Sequence, residues 1–469
     1  MAEHGHAPGL RTAVRGMHSA IEQRAVAVVG AGWAGCAAAV ELARAGHHVT
    51  LFEAARIPGG RARRVAIGEH QLDNGQHIML GAYRETLRLM SLVGVDQRQA
   101  LLKLPLQMRY PPNAGGMDFV APRLPAPLHL LGALLRAKGL QGEDKMSLAR
   151  FSTTARWMGW QLHNDCSVSE LLERFDQTPR LIQLMWRPLC LAALNTPPER
   201  ASAQIFLNVL RDSLGASRSA SDMLIPRADL SALLPDAATR YLQRHGGTVH
   251  LGAKVQAIRA DGDGWQLSAS GESIGGDWSG HFSGVVLATP TSQTAALLQD
   301  FPETADLRTT LSAFEPEPIT TCYLQYDPPT SLELPFYALL DDPATQQWGQ
   351  FVFDRGQLDP AQAGQLAVVI SASSAAAELG QDALAQAVAT QLAGVLRQPA
   401  LSQTRWHKVI TEKRATFAST PGLVRPSNKT GLKRLAIAGD YTASDYPATL
   451  ESAVRSGMGA ASALWEEPI

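Results

Sequence analysis

Three glycines with the spacing G-x-G-x-x-G directly follow the short apolar run 24–29. A loop of this kind after a buried strand is typical of proteins that bind the pyrophosphate of a dinucleotide. The first glycine allows a tight turn, the second lets the backbone approach the phosphates, and the third lets the following helix pack closely on the sheet. The residues of this loop that we expect to contact a cofactor are Gly30, Gly32, Trp33, Ala34 and Gly35.

The elements that must position this loop can be predicted from its flanks. Residues 36–45 are alanine-rich and end at Gly46, which predicts a helix whose positive N-terminal end faces the phosphates. A second apolar run, 48–52, ends at Glu53, 23 positions after Gly30. An acidic side chain in that place can accept hydrogen bonds from a ribose hydroxyl, so the pattern indicates a dinucleotide fold with an unphosphorylated ribose.

Gly59, Gly60 and Arg61 follow this acid closely, where backbone amides and a guanidinium can close over a second side of the diphosphate. Here the sequence resembles the flavoprotein group that contains amine oxidases, protoporphyrinogen oxidase and phytoene desaturases, whose second motif is G-G-R after the acid. The resemblance implies that the cofactor is FAD and not NAD, a choice that the glycine loop alone does not make.

A second flavin motif is expected near the C-terminus. The apolar run 435–438 leads into Gly439 and Asp440, and a helix-like stretch, 449–463, follows. In the resembled group the aspartate bonds the ribityl chain or the pyrophosphate, and the start of the helix, here Leu450, faces the isoalloxazine. A helix N-terminus stabilises the negative charge of a reduced flavin. We also expect a cofactor contact from Val255, which lies on a predicted strand between the two motifs.

The length of 469 residues exceeds the size at which one core stops growing, which predicts two packed domains. We expect an α/β fold: a Rossmann-like FAD-binding domain with a glutathione-reductase-like parallel sheet, and an α+β substrate-binding cap. The resemblance to the flavoprotein group also implies that the segment 284–290 returns the chain to the parallel sheet. The expected segments are a disordered leader at 1–24, a discontinuous FAD-binding domain at 25–90, 220–300 and 405–469, and a substrate-binding domain at 91–219 and 301–404.

Longer sequence segments narrow the resemblance to one family within this group. Residues 72–86 (LDNGQHIMLGAYRET), 186–197 (WRPLCLAALNTP), 412–417 and 439–451 are similar to signatures of the squalene-associated FAD-dependent family. The resemblance implies a hydroxysqualene dehydroxylase activity, in which reduced FAD delivers hydride to an allylic C30 alcohol, water leaves, and squalene forms for bacterial hopanoid synthesis. Such a reaction needs an acid, a dry pocket and a fixed flavin face.

Several side chains in these strings are candidates for the acid, and each also has an ordinary structural explanation. Asp73 opens an Asp-Asn-Gly sequence that is equally typical of a turn, and a histidine such as His77 can simply donate to a neighbouring carbonyl. The candidate catalytic residues are His77, Asp445, Tyr446 and Asp73, with Tyr83 beside them.

Composition excludes other classes of partner. The 42 basic and 43 acidic side chains nearly cancel, so a nucleic-acid partner is not expected. The four cysteines are far apart and have no C-x-x-C pair, which favours reduced thiols in a cytoplasmic protein without a metal site.

A C30 isoprenoid substrate is practically insoluble, which favours peripheral contact with the inner face of the membrane. The leucine-rich run 124–140 could provide that contact after Pro127, or could pack inside the cap; Trp157, Trp160 and Trp186 could line a tunnel or belong to the core.

Two competing functions remain open at this point. A carotenoid-desaturase-like or amine-oxidase-like enzyme would share the cofactor motifs but run an oxidation. A protein of another class would hold flavin without catalysis and assist a prenyl synthase. Only the behaviour of the flavin with defined substrates separates these functions.

Overall fold

The computed structural model describes residues 23–466 apart from 113 and 216. The predicted leader, 1–24, lies outside the described residues except for its last two positions. The strands are β1 (Ala25–Val29), β2 (His48–Glu53), β3 (Arg64–Ile67), β4 (His70–Asp73), β5 (Met79–Leu80), β6 (Leu101–Leu104), β7 (Gln107–Arg109), β8 (Asp118–Val120), β9 (Met223–Pro226), β10 (Thr248–Leu251), β11 (Ala253–Asp261), β12 (Gly264–Gly271), β13 (Gly276–Phe282), β14 (Gly284–Leu287), β15 (Pro316–Gln325), β16 (Phe336–Ala338), β17 (Phe351–Asp354), β18 (Gln365–Ser371), β19 (Trp406–Phe417) and β20 (Leu435–Ile437).

The α-helices are interrupted twice by short π-helical turns, at Ile182–Trp186 and Arg211–Gly215. The helices are α1 (Trp33–Arg44), α2 (Arg84–Leu92), α3 (Gln97–Ala100), α4 (Leu128–Arg136), α5 (Gly142–Trp157), α6 (Val168–Arg174), α7 (Pro179–Leu181), α8 (Arg187–Leu194), α9 (Ala203–Leu210), α10 (Arg218–Ser221), α11 (Leu230–Leu233), α12 (Pro235–Arg244), α13 (Thr291–Leu297), α14 (Ala305–Ser312), α15 (Arg355–Leu358), α16 (Ser374–Ala377), α17 (Gln381–Val395) and α18 (Leu450–Ala463).

A five-stranded parallel sheet forms the centre of the cofactor-binding half, in the order β10-β2-β1-β14-β20. Its strands come from three distant parts of the chain, as the sequence predicts, and the expected α/β fold class is confirmed. Because parallel strands end at the same edge, the residues after β1, β2, β14 and β20 meet there. That edge therefore carries both of the motifs found in the sequence.

Helix α1 is buried between the sheet and other helices, and residues 33–43 are all buried. Its alanines permit this, because they let neighbouring helices approach closely. A Cβ on Gly457 of α18 would lie 2.0 Å from the carbonyl oxygen of Ala34. The C-terminal helix is therefore packed directly on the helix that starts at the glycine loop.

A second layer, built from strands and helices, covers one side of this unit. Its main sheet is antiparallel, in the order β16-β17-β18-β15-β19. Strand β19, which the sequence analysis assigned to the cofactor-binding domain, pairs with β15 in this second sheet. The predicted antiparallel insertion is present as β11-β12-β13, whereas β10, expected in the same insertion, joins the parallel sheet beside β2.

Helices α4–α9 enclose an apolar core next to the second sheet, around Phe151, Trp186, Phe206 and Phe353. Within the described residues, no helix is both long and apolar enough to cross a membrane. In the same part of the chain, no group of three or more His, Cys, Asp and Glu side chains is arranged to hold a metal ion. All four cysteines are unbridged thiols.

Candidate functional site

The glycine loop after β1 has the tight geometry that its sequence predicts. Gly30 adopts φ +103°, and a Cβ there would lie 2.5 Å from the carbonyl oxygen of Ala288 in the adjacent strand connection. A Cβ on Gly35 would lie 1.8 Å from the Gly30 carbonyl oxygen. These two glycines are therefore required by the protein's own packing. The indole nitrogen of Trp33 donates to the Ala62 carbonyl (3.0 Å) and fixes the start of α1.

Gly32 is different, because its surroundings within the protein would accept a side chain. A Cβ on Gly32 would meet only the Cα of Gly60, at 3.9 Å, among the described atoms within 4 Å. Its φ of −68° is ordinary for any residue. The glycine leaves a cradle at the N-terminus of α1 that a methyl group would fill, which fits the close approach of a pyrophosphate.

The G-G-R segment lies against this loop. The amide of Gly59 donates to the Ala31 carbonyl at 2.8 Å, and a Cβ on Gly60 would lie 3.1 Å from the Cα of Gly32. The carboxylate of Glu53 accepts from the amides of Ala31 (2.7 Å) and Ala55 (2.8 Å) and faces the same cavity. The acid therefore lies at the edge of the loop, where a ribose hydroxyl can reach it.

Arg61 joins the two motifs that are remote in sequence. Its guanidinium donates to the carboxylate of Asp440 at 2.5 Å and to the carbonyl of Ala415 at 2.8 Å. Asp440 follows β20 and its side chain is 8% exposed, whereas that of Arg61 is 39% exposed because it borders the cavity. The N-terminal and C-terminal loops thus form one continuous surface, as a single bound FAD requires.

Arg425, which no sequence motif indicated, holds the C-terminal loop in place. Its guanidinium donates to the backbone carbonyls of Asp440 (2.5 Å), Ser444 (3.0 Å) and Tyr446 (2.5 Å). Burial lowers the pKa of Arg425 to about 10, which still leaves it charged at neutral pH. Because the acceptors are backbone carbonyls, no residue pattern in the loop could have indicated this contact.

Helix α18 starts at the end of this loop. The side chain of Thr449 accepts from the amide of Ser452 and caps the helix, and Leu450 lines the cavity. The start of the helix carries partial positive charge, and that it faces the isoalloxazine stays a prediction. Among the predicted cofactor residues, those that line the cavity are Gly30, Gly32, Trp33, Ala34, Glu53, Gly59, Gly60, Arg61, Val255, Gly439, Asp440 and Leu450.

The cavity has a volume of about 1330 Å³. Sites for one small molecule usually measure about 300–1,000 Å³, so this cavity has room for a dinucleotide and a second molecule. One part is formed by the two flavin motifs. The other part is strongly apolar, and its wall includes Leu134, Leu148, Phe151, Trp186, Phe351 and Phe353.

Of the four candidate acids, His77 and Tyr446 line the cavity, whereas Asp73 and Asp445 do not. His77 lines the cavity, and its Nδ1 lies 2.9 Å from the Gly75 carbonyl, so this nitrogen carries the proton. Burial lowers the pKa of His77, although the Gly75 carbonyl opposes the shift, which makes the ring neutral at pH 7. Tyr446 also lines the cavity, and its hydroxyl donates to Asp212 at 2.6 Å. Tyr83 lies on the wall as well.

The two aspartates among the candidates do not line the cavity. Asp73 is buried and accepts from the amide of Leu230 at 2.9 Å. Burial raises its pKa to about 6. The side chain of Asp445 is 71% exposed and lies 3.6 Å from Arg211. The carboxylate that lies on the wall beside Tyr446 is that of Asp212, which no sequence motif indicated.

The three tryptophans considered for a tunnel divide in the same way. Trp160 and Trp186 line the cavity, and the Trp186 indole donates to Gln177 at 2.9 Å. Trp157 is 86% exposed at the end of α5. Two of the three are therefore positioned to contact a substrate, and the third faces solvent.

Comparisons with known proteins agree with this geometry. The family model described as "Flavin containing amine oxidoreductase" matches residues 33–464. The hydroxysqualene dehydroxylase of Rhodopseudomonas palustris is 30% identical over 453 residues, covering 93% of this chain and 97% of that protein. The zeta-carotene desaturase of a Synechocystis species is 25% identical over 488 residues, covering 94% and 96%.

Among solved structures, an oxidoreductase from Methanosarcina mazei has the same fold, with a TM-score of 0.69 at 15% identity over 92% of this chain and 99% of that one. The resemblance found in the sequence is thus confirmed, and so is FAD as the cofactor that the two motifs indicate. The chain belongs to the flavin containing amine oxidoreductase family and is an FAD-dependent oxidoreductase.

Proposed function

We propose that this protein is a hydroxysqualene dehydroxylase, which reduces hydroxysqualene to squalene with loss of water and supplies squalene for hopanoid synthesis. The observation that carries the proposal is the continuity of the flavin site with a long apolar wall in one cavity. A C30 hydrocarbon chain gains free energy by leaving water for such a wall, at about 25 cal/mol per Å² of apolar surface. The relative from Rhodopseudomonas palustris carries the same name.

The chemistry divides between the cofactor and the chain. Reduced FAD supplies a hydride when bound. The apolar wall excludes water, which would otherwise capture the allylic cation formed as the hydroxyl leaves. The N-terminus of α18 offers its positive end to a reduced flavin. The cradle at Gly32 and the Arg61–Asp440 pair would hold the cofactor in place.

The proposal is tested by reducing the purified holoenzyme anaerobically and adding hydroxysqualene. We expect the flavin absorbance of the oxidised form to return in a single turnover, with one squalene formed per flavin. Oxidised enzyme is mixed in parallel with phytoene, zeta-carotene or an amine. Bleaching of the flavin by one of these, without squalene formation in the first experiment, would show a desaturase or an amine oxidase. No redox change with any of them would favour a flavin-holding partner of a prenyl synthase.

Contact with a membrane is part of the same proposal, and exposed apolar side chains support it. Seven large hydrophobic side chains are strongly exposed in the described part of the chain, and six of them lie on or beside α4 and α5. These six are Leu124, Leu128, Leu131, Leu135, Met146 and Trp157. Leu128 and Leu131 also line the cavity, so α4 separates the apolar wall from the surroundings of the protein.

The charge of this region is complementary to an anionic membrane surface. Between 123 and 157 there are six basic side chains and two acidic ones, of which Asp144 is buried, although the whole chain is almost neutral. Each Lys or Arg near an anionic lipid surface contributes about 1 kcal/mol of attraction. The enzyme thus docks on the inner face of the membrane through α4 and α5 and takes its substrate from there.

Combined replacement of Leu135 by Glu and Trp157 by Ala is expected to weaken binding to vesicles containing phosphatidylglycerol by at least about tenfold. The two side chains would each bury apolar area worth about 1.5–3 kcal/mol. Neither lines the cavity, so turnover of detergent-dispersed substrate should be retained. Vesicle sedimentation measures the binding. Val424, the seventh exposed side chain, is the control position, and V424E should bind like wild type. Equal binding of the double variant and wild type would contradict the docking surface.

A further inference from the structure

A small polar cluster interrupts the apolar wall of the cavity. The hydroxyl of Tyr446 donates to Oδ2 of Asp212 at 2.6 Å. Arg211 holds the same carboxylate with two bonds, from Nε to Oδ1 at 2.7 Å and from Nη2 to Oδ2 at 3.1 Å. Asp212 and Tyr446 both line the cavity. A charged carboxylate in an apolar wall must be paired and hydrogen-bonded, and Arg211 and Tyr446 provide these contacts to Asp212.

The backbone places this pair at the junction of the two parts of the cavity. Asp212 lies in the π-helical turn Arg211–Gly215 that follows α9, and such wide turns are frequent at functional sites. Tyr446 lies four residues before α18, whose first residue, Leu450, lines the cavity. The guanidinium of Arg455 lies 5.1 Å from the centre of the Tyr446 ring and fixes it. Two elements remote in sequence therefore present one hydroxyl and one carboxylate where the apolar wall meets the flavin motif.

We propose that Tyr446 and Asp212 form the site that binds the hydroxyl group of the substrate and protonates it as it leaves. This rests on the proposed function. The substrate oxygen accepts a hydrogen bond from Tyr446, and its own O–H donates to Asp212. The carbon–oxygen bond then breaks, and the oxygen takes the Tyr446 proton and leaves as water. A carbon–hydrogen bond forms with the hydride that reduced flavin would supply, and a proton from solvent restores the Tyr446 hydroxyl.

The charges of the cluster suit these roles. Burial alone would raise the pKa of Asp212, but hydrogen bonds from Arg211 and Tyr446 hold it below its ordinary value, so Asp212 is an acceptor at neutral pH. Burial and the neighbouring carboxylate raise the pKa of Tyr446 to about 12. This is still below the value of about 15.7 for water, so a departing hydroxide can take the proton. The carboxylate also lies beside the cation that develops on the substrate carbon.

Other polar groups near the cavity are less suited to this role. Asp440 is already paired with Arg61, and Arg425 binds the backbone of the same loop. His77 is neutral and donates its Nδ1 proton to Gly75. The carboxylate of Asp445 faces solvent. Tyr446 with Asp212 supplies a donor and a charged acceptor within one hydrogen bond of each other.

The first test is a binding measurement on the oxidised holoenzyme and does not depend on turnover. Quenching of tryptophan fluorescence compares hydroxysqualene with squalene. Wild type should bind the alcohol about tenfold or more tightly, because hydrogen bonds to a charged group discriminate to this extent. Tyr446→Phe and Asp212→Asn should bind squalene as wild type does and lose most of the preference for the alcohol. Asp277→Asn removes the same charge at an exposed position away from the cavity and should keep it.

The second test is single turnover of the reduced enzyme with hydroxysqualene. Reoxidation should fall by roughly 10²- to 10⁴-fold in Tyr446→Phe, as expected for loss of a general acid, while wild-type flavin content is retained. If wild type forms squalene and both variants match it in preference and rate, the hydroxyl-binding site is wrong. If wild type itself forms no squalene, the proposed function fails instead. Tyr446→Phe removes one oxygen atom, so it is the variant that keeps the test valid should Asp212→Asn not fold.

Discussion

Alanine in place of Gly32 is expected to leave the protein folded but largely without its flavin. The new methyl group would meet only the Cα of Gly60 at 3.9 Å among the described atoms within 4 Å, and the backbone angle is ordinary. The free energy of unfolding of the apoprotein should therefore change by no more than about 1 kcal/mol, the usual effect of alanine at a helix N-cap. The methyl group would occupy the predicted place of the pyrophosphate, and overpacking of about 1–3 kcal/mol would weaken FAD binding roughly fivefold to 150-fold.

Two matched glycine variants show whether the effect is specific to the cofactor. Gly394→Ala, in α17, adds a methyl group with no atom within 4 Å and should keep full flavin content. Gly35→Ala would place its methyl group 1.8 Å from the Gly30 carbonyl oxygen and should prevent correct folding with or without FAD. FAD titration of the apoproteins, followed by flavin fluorescence, measures the affinities. A Gly32→Ala protein that binds FAD like wild type would show that the pyrophosphate lies elsewhere.

Loss of the Arg61 side chain is expected to affect both cofactor binding and stability. Arg61→Ala leaves the buried carboxylate of Asp440 without its 2.5 Å partner. Removal of one partner of a buried ion pair typically lowers the free energy of unfolding by about 3–5 kcal/mol. Because the positive charge of Arg425 also acts on Asp440, we expect a loss near the lower end of this range. The affinity for FAD should fall as well, because Arg61 connects the two loops that are predicted to contact the cofactor.

Asp440→Ala should be less destabilising than Arg61→Ala. The Arg61 side chain that it leaves behind is 39% exposed and can bind water. The Arg61→Ala/Asp440→Ala double variant should lower the free energy of unfolding by less than the sum of the two single variants, because both substitutions remove the same contact. Chemical denaturation of the three apoproteins gives the coupling free energy. Additive effects would contradict a direct link between the two motifs.

The parts of the site that depend on local sequence could be predicted. Gly30, Gly35 and Glu53 have their roles because of a turn, a close helix contact and the end of a strand, all of which leave a pattern in neighbouring residues. That the two motifs lie at one edge also follows, because the residues after parallel strands meet there, whereas the place of β10 beside β2 was not predicted. The C-terminal Gly-Asp motif could be paired with the N-terminal loop only through the resemblance to flavoproteins.

The parts that depend on distant contacts could not be predicted. Asp212 becomes significant only because Tyr446, 234 positions away, donates to it. Arg425 binds backbone carbonyls, which every residue has. Asp73 looked like a candidate acid, yet its carboxylate bonds the amide of Leu230, 157 positions away. Such outcomes are decided by packing between segments, which hydrophobic periodicity and motif spacing do not encode.

Deuterium transfer tests the proposed reaction most directly. The holoenzyme is reduced anaerobically in D₂O, which places deuterium on flavin N5, and is then mixed with hydroxysqualene. Hydride transfer from the flavin to carbon predicts squalene that carries one deuterium at the former carbinol carbon, and none when the enzyme is reduced in H₂O. Squalene without deuterium, or flavin reoxidation without squalene, would contradict this account of the enzyme.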